Sequence, residues 1–310
     1  MKRRELLAAA GAAMFVAACK TTFGTAPKAT PPQLEIPEPP RLGGGPPKGT
    51  KPKIGLALGG GAARGFAHIG VIKALETSEI VPDLIVGTSA GSVVGALYAA
   101  GHSAFEIQRL ALQLAESDFT DWALFDRGVL KGEALEAFVN KQVNKRPIES
   151  LKRRFAAVAT DLATGQPTVF TRGDVGQAVR ASATVPGVFA PVVIRGREYV
   201  DGGLVSPIPV SAARKLGADI VIAVDISSRP SGKKGAGSLD LLLDTVAIMS
   251  TTLAGYELRD ADIVIRPKIQ DLPAANFQQR HTAIMEGEKA GFAAIPAIRE
   301  RVANWGKTSS

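Results

Sequence analysis

Leu84-Ile85-Val86-Gly87-Thr88-Ser89-Ala90-Gly91 is an apolar, β-branched run that breaks into Gly-x-Ser-x-Gly and leads at once into the helical pattern Ala90 to Ala100, closed by Gly101. Strand, sharp turn and helix in that order are the setting of a nucleophile elbow, in which a strained turn pushes a serine hydroxyl forward. Strand and helix can approach only if the residues around the serine are small, and Gly87, Ala90 and Gly91 meet that need. The helix start adds partial positive charge where an oxyanion would form. The same letters also describe a Gly/Ser turn with Ser89 as a plain helix cap; the strand before it and the helix after it favour the elbow.

Outward from this stretch, Ile54 to Leu58, Phe155 to Thr160, Ile220 to Val224 and Ile263 to Ile265 are further short runs of the kind buried in a parallel sheet. Helical patterns lie between them. Phe66, Ile69, Ile72 and Leu75 share one face, and Ser103 with Glu106 has the spacing of a capping box. This alternation, sustained over about 250 residues, predicts one three-layer, doubly wound α/β domain with a mostly parallel sheet, spanning residues 52–310. The pattern from Leu239 to Leu258 is one more helix, and sequence leaves open whether it is a lid, a core element or a dimer contact. No internal repeat is visible, and nothing after the N-terminal segment is long and apolar enough to span a bilayer.

The N-terminus reads differently. Lys2-Arg3-Arg4 precede an apolar run from Leu6 to Ala18, and Val16-Ala17-Ala18-Cys19 puts small residues before the chain's only cysteine. This looks like a bacterial lipobox, so residues 1–18 are expected to be a lipoprotein signal peptide and Cys19 the acylated first residue of the mature chain. Lys20 resembles the next residue of lipoproteins sorted to an outer membrane. The expected location is therefore the bacterial cell envelope, facing the periplasm from the outer membrane rather than the inner one. Arg3-Arg4-Glu5-Leu6-Leu7 also resembles a twin-arginine signal, and the export route stays open. Residues 19–51 are rich in Pro and Gly and read as a tether. A single cysteine excludes an internal disulfide and a cysteine-based zinc site. Of the formal charge of +8, Met1 to Ala18 carry +2, leaving +6 without a Lys/Arg run interleaved with aromatics. That favours a lipid surface over nucleic acid as the partner.

Two further stretches bear on chemistry. Gly59-Gly60-Gly61-Ala62-Ala63-Arg64-Gly65 follows the first strand and opens the first helix, and its N–H groups could serve a tetrahedral intermediate or a phosphate. A dinucleotide fingerprint fails, because counting from Gly59 puts Arg64 where the last glycine belongs. Arg64 reads equally as a loop or headgroup contact and as a surface residue. For a base, His68 and His102 flank the elbow and only His281 has the usual order after the serine, in a polar stretch that reads as surface. Asp201, in Tyr199-Val200-Asp201-Gly202-Gly203, is presented on a bend with little bulk around it, where burial would raise its pKa and make it a better base. Asp-Gly-Gly is also an ordinary surface turn, and Asp161, Asp219 and Asp225 are rivals.

Taken in order, Gly59-Gly60-Gly61 to Arg64-Gly65, then Gly87-Thr88-Ser89-Ala90-Gly91, then Asp201-Gly202-Gly203 resemble the patatin-like phospholipase family. Ala159-Thr160-Asp161-Leu162 and Ala181-Ser182-Ala183-Thr184-Val185-Pro186 are similar to it as well. One departure is that Ala62 and Ala63 both intervene before Arg64, where many members have a single residue, a variant that resembles the bacterial branch. The resemblance implies that Ser89 is the nucleophile and Asp201 the base of a two-residue dyad. It also implies an oxyanion hole from the loop Gly59, Gly60, Gly61 and Ala62, with Arg64, Gly65, Gly87, Gly91, Gly202 and Gly203 as support. The expected activity is hydrolysis of a phospholipid or other lipid ester without metal or organic cofactor. An acyltransferase with the same nucleophile, a catalytically silent lipid-binding scaffold and a triad esterase using His281 are the alternatives.

Overall fold

The computed structural model describes residues 51–113, 132–227, 237–270, 272 and 277–307, all within one compact unit, Glu38–Ser310. The proposed signal peptide, Cys19 and nearly all of the tether lie outside the described residues. Strands run as β1 (Ile54–Leu58), β2 (Leu84–Thr88), β3 (Arg154–Asp161), β4 (Pro167–Phe170), β5 (Val192–Ile194), β6 (Arg197–Asp201), β7 (Ile220–Val224) and β8 (Ile263–Ile265). Helices are α1 (Phe66–Thr77), α2 (Ala90–Ala100), α3 (Ala104–Gln113), α4 (Glu133–Gln142), α5 (Val175–Ser182), α6 (Val210–Lys215), α7 (Ser238–Glu257) and α8 (Arg280–Ala303).

Every β-branched run read from the sequence lies in the parallel part of the sheet, ordered β3-β2-β1-β7-β8. Alternate residues of these strands face opposite layers. Leu56, Leu58, Ile85, Ile222 and Val224 join the core that includes α1, α2 and α8, whereas Ala57, Leu84, Val86, Val221 and Ala223 pack with α6 and Ala254 of α7. The result is the expected three-layer α/β arrangement. α1 and α8 touch backbone to backbone: a Cβ on Gly70 would stand 1.9 Å from the Ile284 carbonyl oxygen, and one on Gly287 2.0 Å from that of Ala67. At the start of α3 the capping box is formed, with Ser103 N–H donating to Glu106 Oε2 at 2.8 Å and Glu106 N–H to Ser103 Oγ at 3.2 Å.

The antiparallel strands β4, β5 and β6 bring the site together. On β3, Val158 is opposite Thr88, and the next residue, Ala159, is opposite Asp201. β4 occupies the other edge of these rungs, so β2 and β6 run toward each other along a shared edge. The residue after Thr88 is Ser89, and it meets the end of β6 there. No described helix is long and apolar enough to cross a membrane.

Candidate active site

Ser89 links β2 to α2 with φ 52° and ψ −123°, a backbone conformation that costs a non-glycine residue about 1–3 kcal/mol. Several bonds hold it there. Its N–H donates to Ser182 Oγ at 2.9 Å, and the Ser182 hydroxyl donates to the Val158 carbonyl of β3 at 2.6 Å. Its carbonyl accepts the Ser92 hydroxyl at 2.6 Å and the Ser92 N–H at 2.9 Å. Gly87 and Gly91 are required by close approach: a Cβ on the first would lie 2.5 Å from the Gly91 carbonyl oxygen, and one on the second 2.2 Å from that of Leu58. Gly65 allows the first helix to meet Ala90, whose Cβ would be 2.6 Å from its own.

Asp201 ends β6 and caps the short turn Gly202–Leu204. Its backbone is fixed at both ends, with its N–H on the Thr184 carbonyl at 2.7 Å and its carbonyl accepting the Thr160 hydroxyl at 2.8 Å. The carboxylate accepts the Gly203 N–H at 2.7 Å and faces the Ser89 hydroxyl across the cavity. Gly202 must be small, since a Cβ would stand 2.1 Å from the Val158 carbonyl oxygen. Burial pushes the Asp201 pKa up from 3.8 to about 6, against the opposing pull of the Gly203 N–H and the Ser89 hydroxyl. At neutral pH the group is largely ionised, yet basic enough to accept a proton.

The glycine loop is braced from below. Gly59 N–H donates to the Val224 carbonyl at 3.1 Å and Gly60 N–H to that of Pro207 at 3.0 Å. His68, wholly buried, sits with Nε2 2.8 Å from the Gly59 oxygen, and burial lowers its pKa to about 4. Two of the four loop residues expected to offer donors therefore have their N–H groups engaged. Gly61 and Ala62, both lining the cavity, have N–H groups that bond nothing else among the described residues. The left-handed turn of the loop falls on Ala62, with φ 49°, and not on a glycine. Arg64 is only 4% exposed and also lines the cavity, so its reading as a surface residue is corrected: the helix that it opens faces inward.

Ser89 and Asp201 share a cavity of about 350 Å³ whose walls are mainly apolar, among them Leu135, Val185, Pro186, Phe189 and Val246. α7 forms one wall through Val246, Ala247, Ser250 and Thr251. It is fastened to the segment after Asp201, with the Ser250 hydroxyl on the Gly203 carbonyl at 2.9 Å and Glu257 accepting from Ser206 Oγ at 2.6 Å and Ile208 N–H at 2.9 Å. Burial raises the Glu257 pKa to about 7. The rival groups lie elsewhere. Asp161 pairs with Arg197 at 2.5 Å, Asp219 accepts the Lys53 N–H at 2.7 Å, and Asp225 pairs with Arg266 at 3.0 Å. His102 contacts the Gln142 carbonyl at 2.9 Å and His281 is exposed at the start of α8; no histidine lines the cavity. Among the described residues no cluster of His, Cys, Asp and Glu could hold a metal ion. In the sequence Ser182 is one residue of the Ala181 to Pro186 motif stretch, and its role depends on a partner 93 positions away, which no local pattern announces.

An uncharacterized NTE family protein of Mycobacterium tuberculosis is 39% identical over 190 residues, covering 59% of this chain and 51% of its own. Lysophospholipase NTE1 of Pyricularia oryzae is 36% identical over 192 residues, covering 56% of this chain and 12% of that protein. The chain spans about half the length of the mycobacterial relatives it matches. In fold it resembles the crystal structure of VipD from Legionella pneumophila, with a TM-score of 0.53, 13% identity, and coverage of 80% of this chain and 67% of that one. The model of the family described as patatin-like phospholipase matches residues 56–214. That match takes in the braced glycine loop, the strained serine and the Asp-Gly-Gly turn, just over half of the 310 residues, and with it the chain belongs to the patatin-like phospholipase family.

Proposed function

We propose that the protein is a serine acyl-ester hydrolase of the phospholipase A or lysophospholipase type, with Ser89 as nucleophile and Asp201 as its base. Family membership supports lipid acyl hydrolysis in general. The observation that carries the finer reading is the strained Ser89 facing a buried, pKa-raised Asp201 inside an apolar cavity. In the first step Asp201 takes the Ser89 proton as Oγ attacks the ester carbonyl, and the Gly61 and Ala62 N–H groups hold the oxyanion. Asp201 returns the proton to the leaving alcohol. Water, deprotonated by the same carboxylate, then attacks the acyl-enzyme and releases a fatty acid. Acylation of Cys19 and attachment to the envelope membrane belong to the same proposal and rest on the sequence of residues 1–50.

The test is fatty-acid release from phospholipid and lysophospholipid, with mass-spectrometric mapping of a fluorophosphonate probe. Labelling confined to Ser89 is expected, with release that depends on it; release that persists in Ser89→Ala would end this reading. Acyl transfer to an added alcohol without hydrolysis would instead point to an acyltransferase.

Ser182 adds a second expectation. Ser182→Ala leaves the Ser89 N–H without its acceptor, so the strained turn relaxes at a cost of about 1–3 kcal/mol in positioning. The expected result is kcat lower by roughly 10- to 100-fold at nearly constant KM and a slower labelling rate. Equal kcat in variant and wild type would show that the turn holds itself.

A further inference from the structure

A carboxylate that the reaction scheme above does not use stands where the parts of the site meet. Glu257 is the last residue of α7, and the negative end of a helix dipole disfavours an anion there. The residue is half-buried, and no cation pairs with it among the described residues. Local stability therefore gives no reason for a carboxylate at this position; its partners do. Oε1 accepts the Ser206 hydroxyl at 2.6 Å and Oε2 the Ile208 N–H at 2.9 Å, so one side chain grips both ends of segment 206–208. That segment reaches every part of the site. The Ser206 carbonyl accepts the hydroxyl of Thr88, the residue before Ser89, at 2.8 Å. The Ser206 N–H donates to the carbonyl of Gly202, the residue after Asp201, at 2.8 Å. The Pro207 carbonyl accepts the N–H of Gly60, the residue before Gly61, at 3.0 Å. Thr88, Ser206 and Ile208 are buried, so these bonds are made away from water, where they hold more firmly.

We propose that Glu257 is a positioning residue for acyl transfer: by gripping residues 206–208 it fixes the nucleophile elbow, the Asp-Gly-Gly turn and the glycine loop at their working separations. Three bonds to three parts of the site leave from two adjacent residues, so a segment released at one end shifts all three parts against one another. Reaction geometry is more sensitive to such a shift than the binding of a flexible acyl chain. Glu257 itself does not line the cavity, and it acts without touching substrate. The inference rests on the acyl-ester hydrolase reading above and adds to it a residue from the helix that walls the cavity.

The test is steady-state hydrolysis of a lysophospholipid by Glu257→Gln, with competent enzyme counted by fluorophosphonate labelling of Ser89. Glutamine keeps the shape but offers one acceptor oxygen where two are used. The kcat per labelled serine is expected to fall by about 10- to 100-fold with KM held within about twofold, and the labelling rate to fall with it. Thr88→Val, which takes the hydroxyl from the Ser206 carbonyl on the other side of the segment, should lower kcat by about 2- to 10-fold. The double variant should lose little more than Glu257→Gln alone, because both substitutions cut one line of support. Losses that multiply would overturn the proposal. So would an unchanged kcat in Glu257→Gln, or a raised KM at constant kcat, which would leave Glu257 as a fastener of the cavity wall. If Glu257→Gln does not fold, Ser206→Ala replaces it in the cycle, removing the Oε1 partner and leaving Ile208 held. A kcat lower by about 2- to 10-fold at constant KM, without multiplication by Thr88→Val, then supports the role, and an unchanged kcat ends it. A wild type that neither releases fatty acid nor labels would refute the hydrolase reading and the positioning role with it. An active wild type beside an unimpaired Glu257→Gln would refute the positioning role alone.

Discussion

Ser89→Ala and Asp201→Asn are each expected to lower kcat for ester hydrolysis by about 10⁴- to 10⁶-fold, and the double variant to lose little more than either alone. The reason is geometric. The hydroxyl of Ser89 and the carboxylate of Asp201 face each other at the meeting of β2 and β6, so removing either member would remove the proton transfer proposed for the pair. What remains in all three variants is the loop and the apolar cavity, which still bind and polarise substrate. Wild-type kcat/KM should rise with pH through about 6, because Asp201 acts as a base only when ionised and burial has moved its pKa to that value. His281→Ala, at the exposed start of α8, should leave turnover intact. Steady-state rates for the three dyad variants decide the matter: losses that multiply in the double variant would mean that the two residues act independently. Loss of activity in a folded His281→Ala protein would favour a serine triad.

Much of this architecture can be read in the sequence because it is local. A run such as Ile220 to Val224 is apolar at every position because both faces of its strand are covered, and the elbow is a contiguous string of small residues around Ser89. β4 and β5 give no such signal, being three or four residues long and partly exposed on the antiparallel side of the sheet. The donors of the glycine loop illustrate a second limit. Gly59 and Gly60 look equivalent to Gly61 in the sequence, and only the carbonyls of Val224 and Pro207, more than a hundred positions away, decide that they are engaged. The α7 pattern was equally compatible with core, lid or dimer contact. Its place in the cavity wall comes from Ser250 and Glu257, which fasten it to the segment after Asp201. Arg64 was balanced between pocket and surface because a lone arginine at a helix start carries no mark of burial.

A carboxylate kept in an apolar cavity, as proposed for the base, should cost the fold stability, so Asp201→Asn is expected to be the more stable protein at neutral and alkaline pH. The sign follows from linkage. Asp201 has a folded pKa of about 6 against an unfolded value near 3.8, so only well below pH 4 are both states protonated and the group without effect. Between about pH 4 and pH 6 the unfolded chain loses its proton first, and folded stability falls as pH rises; above about pH 6 the whole penalty is present. Two pKa units correspond to at most about 3 kcal/mol, which for a domain of this size is roughly 5–10 °C in Tm. Glu257, whose pKa is raised to about 7 in the same direction, steepens the fall in both proteins and cancels in their difference. Melting curves of wild type and Asp201→Asn from pH 4 to pH 8 should therefore diverge as pH rises, with the inactive variant higher. Parallel curves, or a variant less stable at pH 8, would mean that the Gly203 N–H and the Ser89 hydroxyl together outweigh burial and that Asp201 is held as an ordinary, comfortable carboxylate.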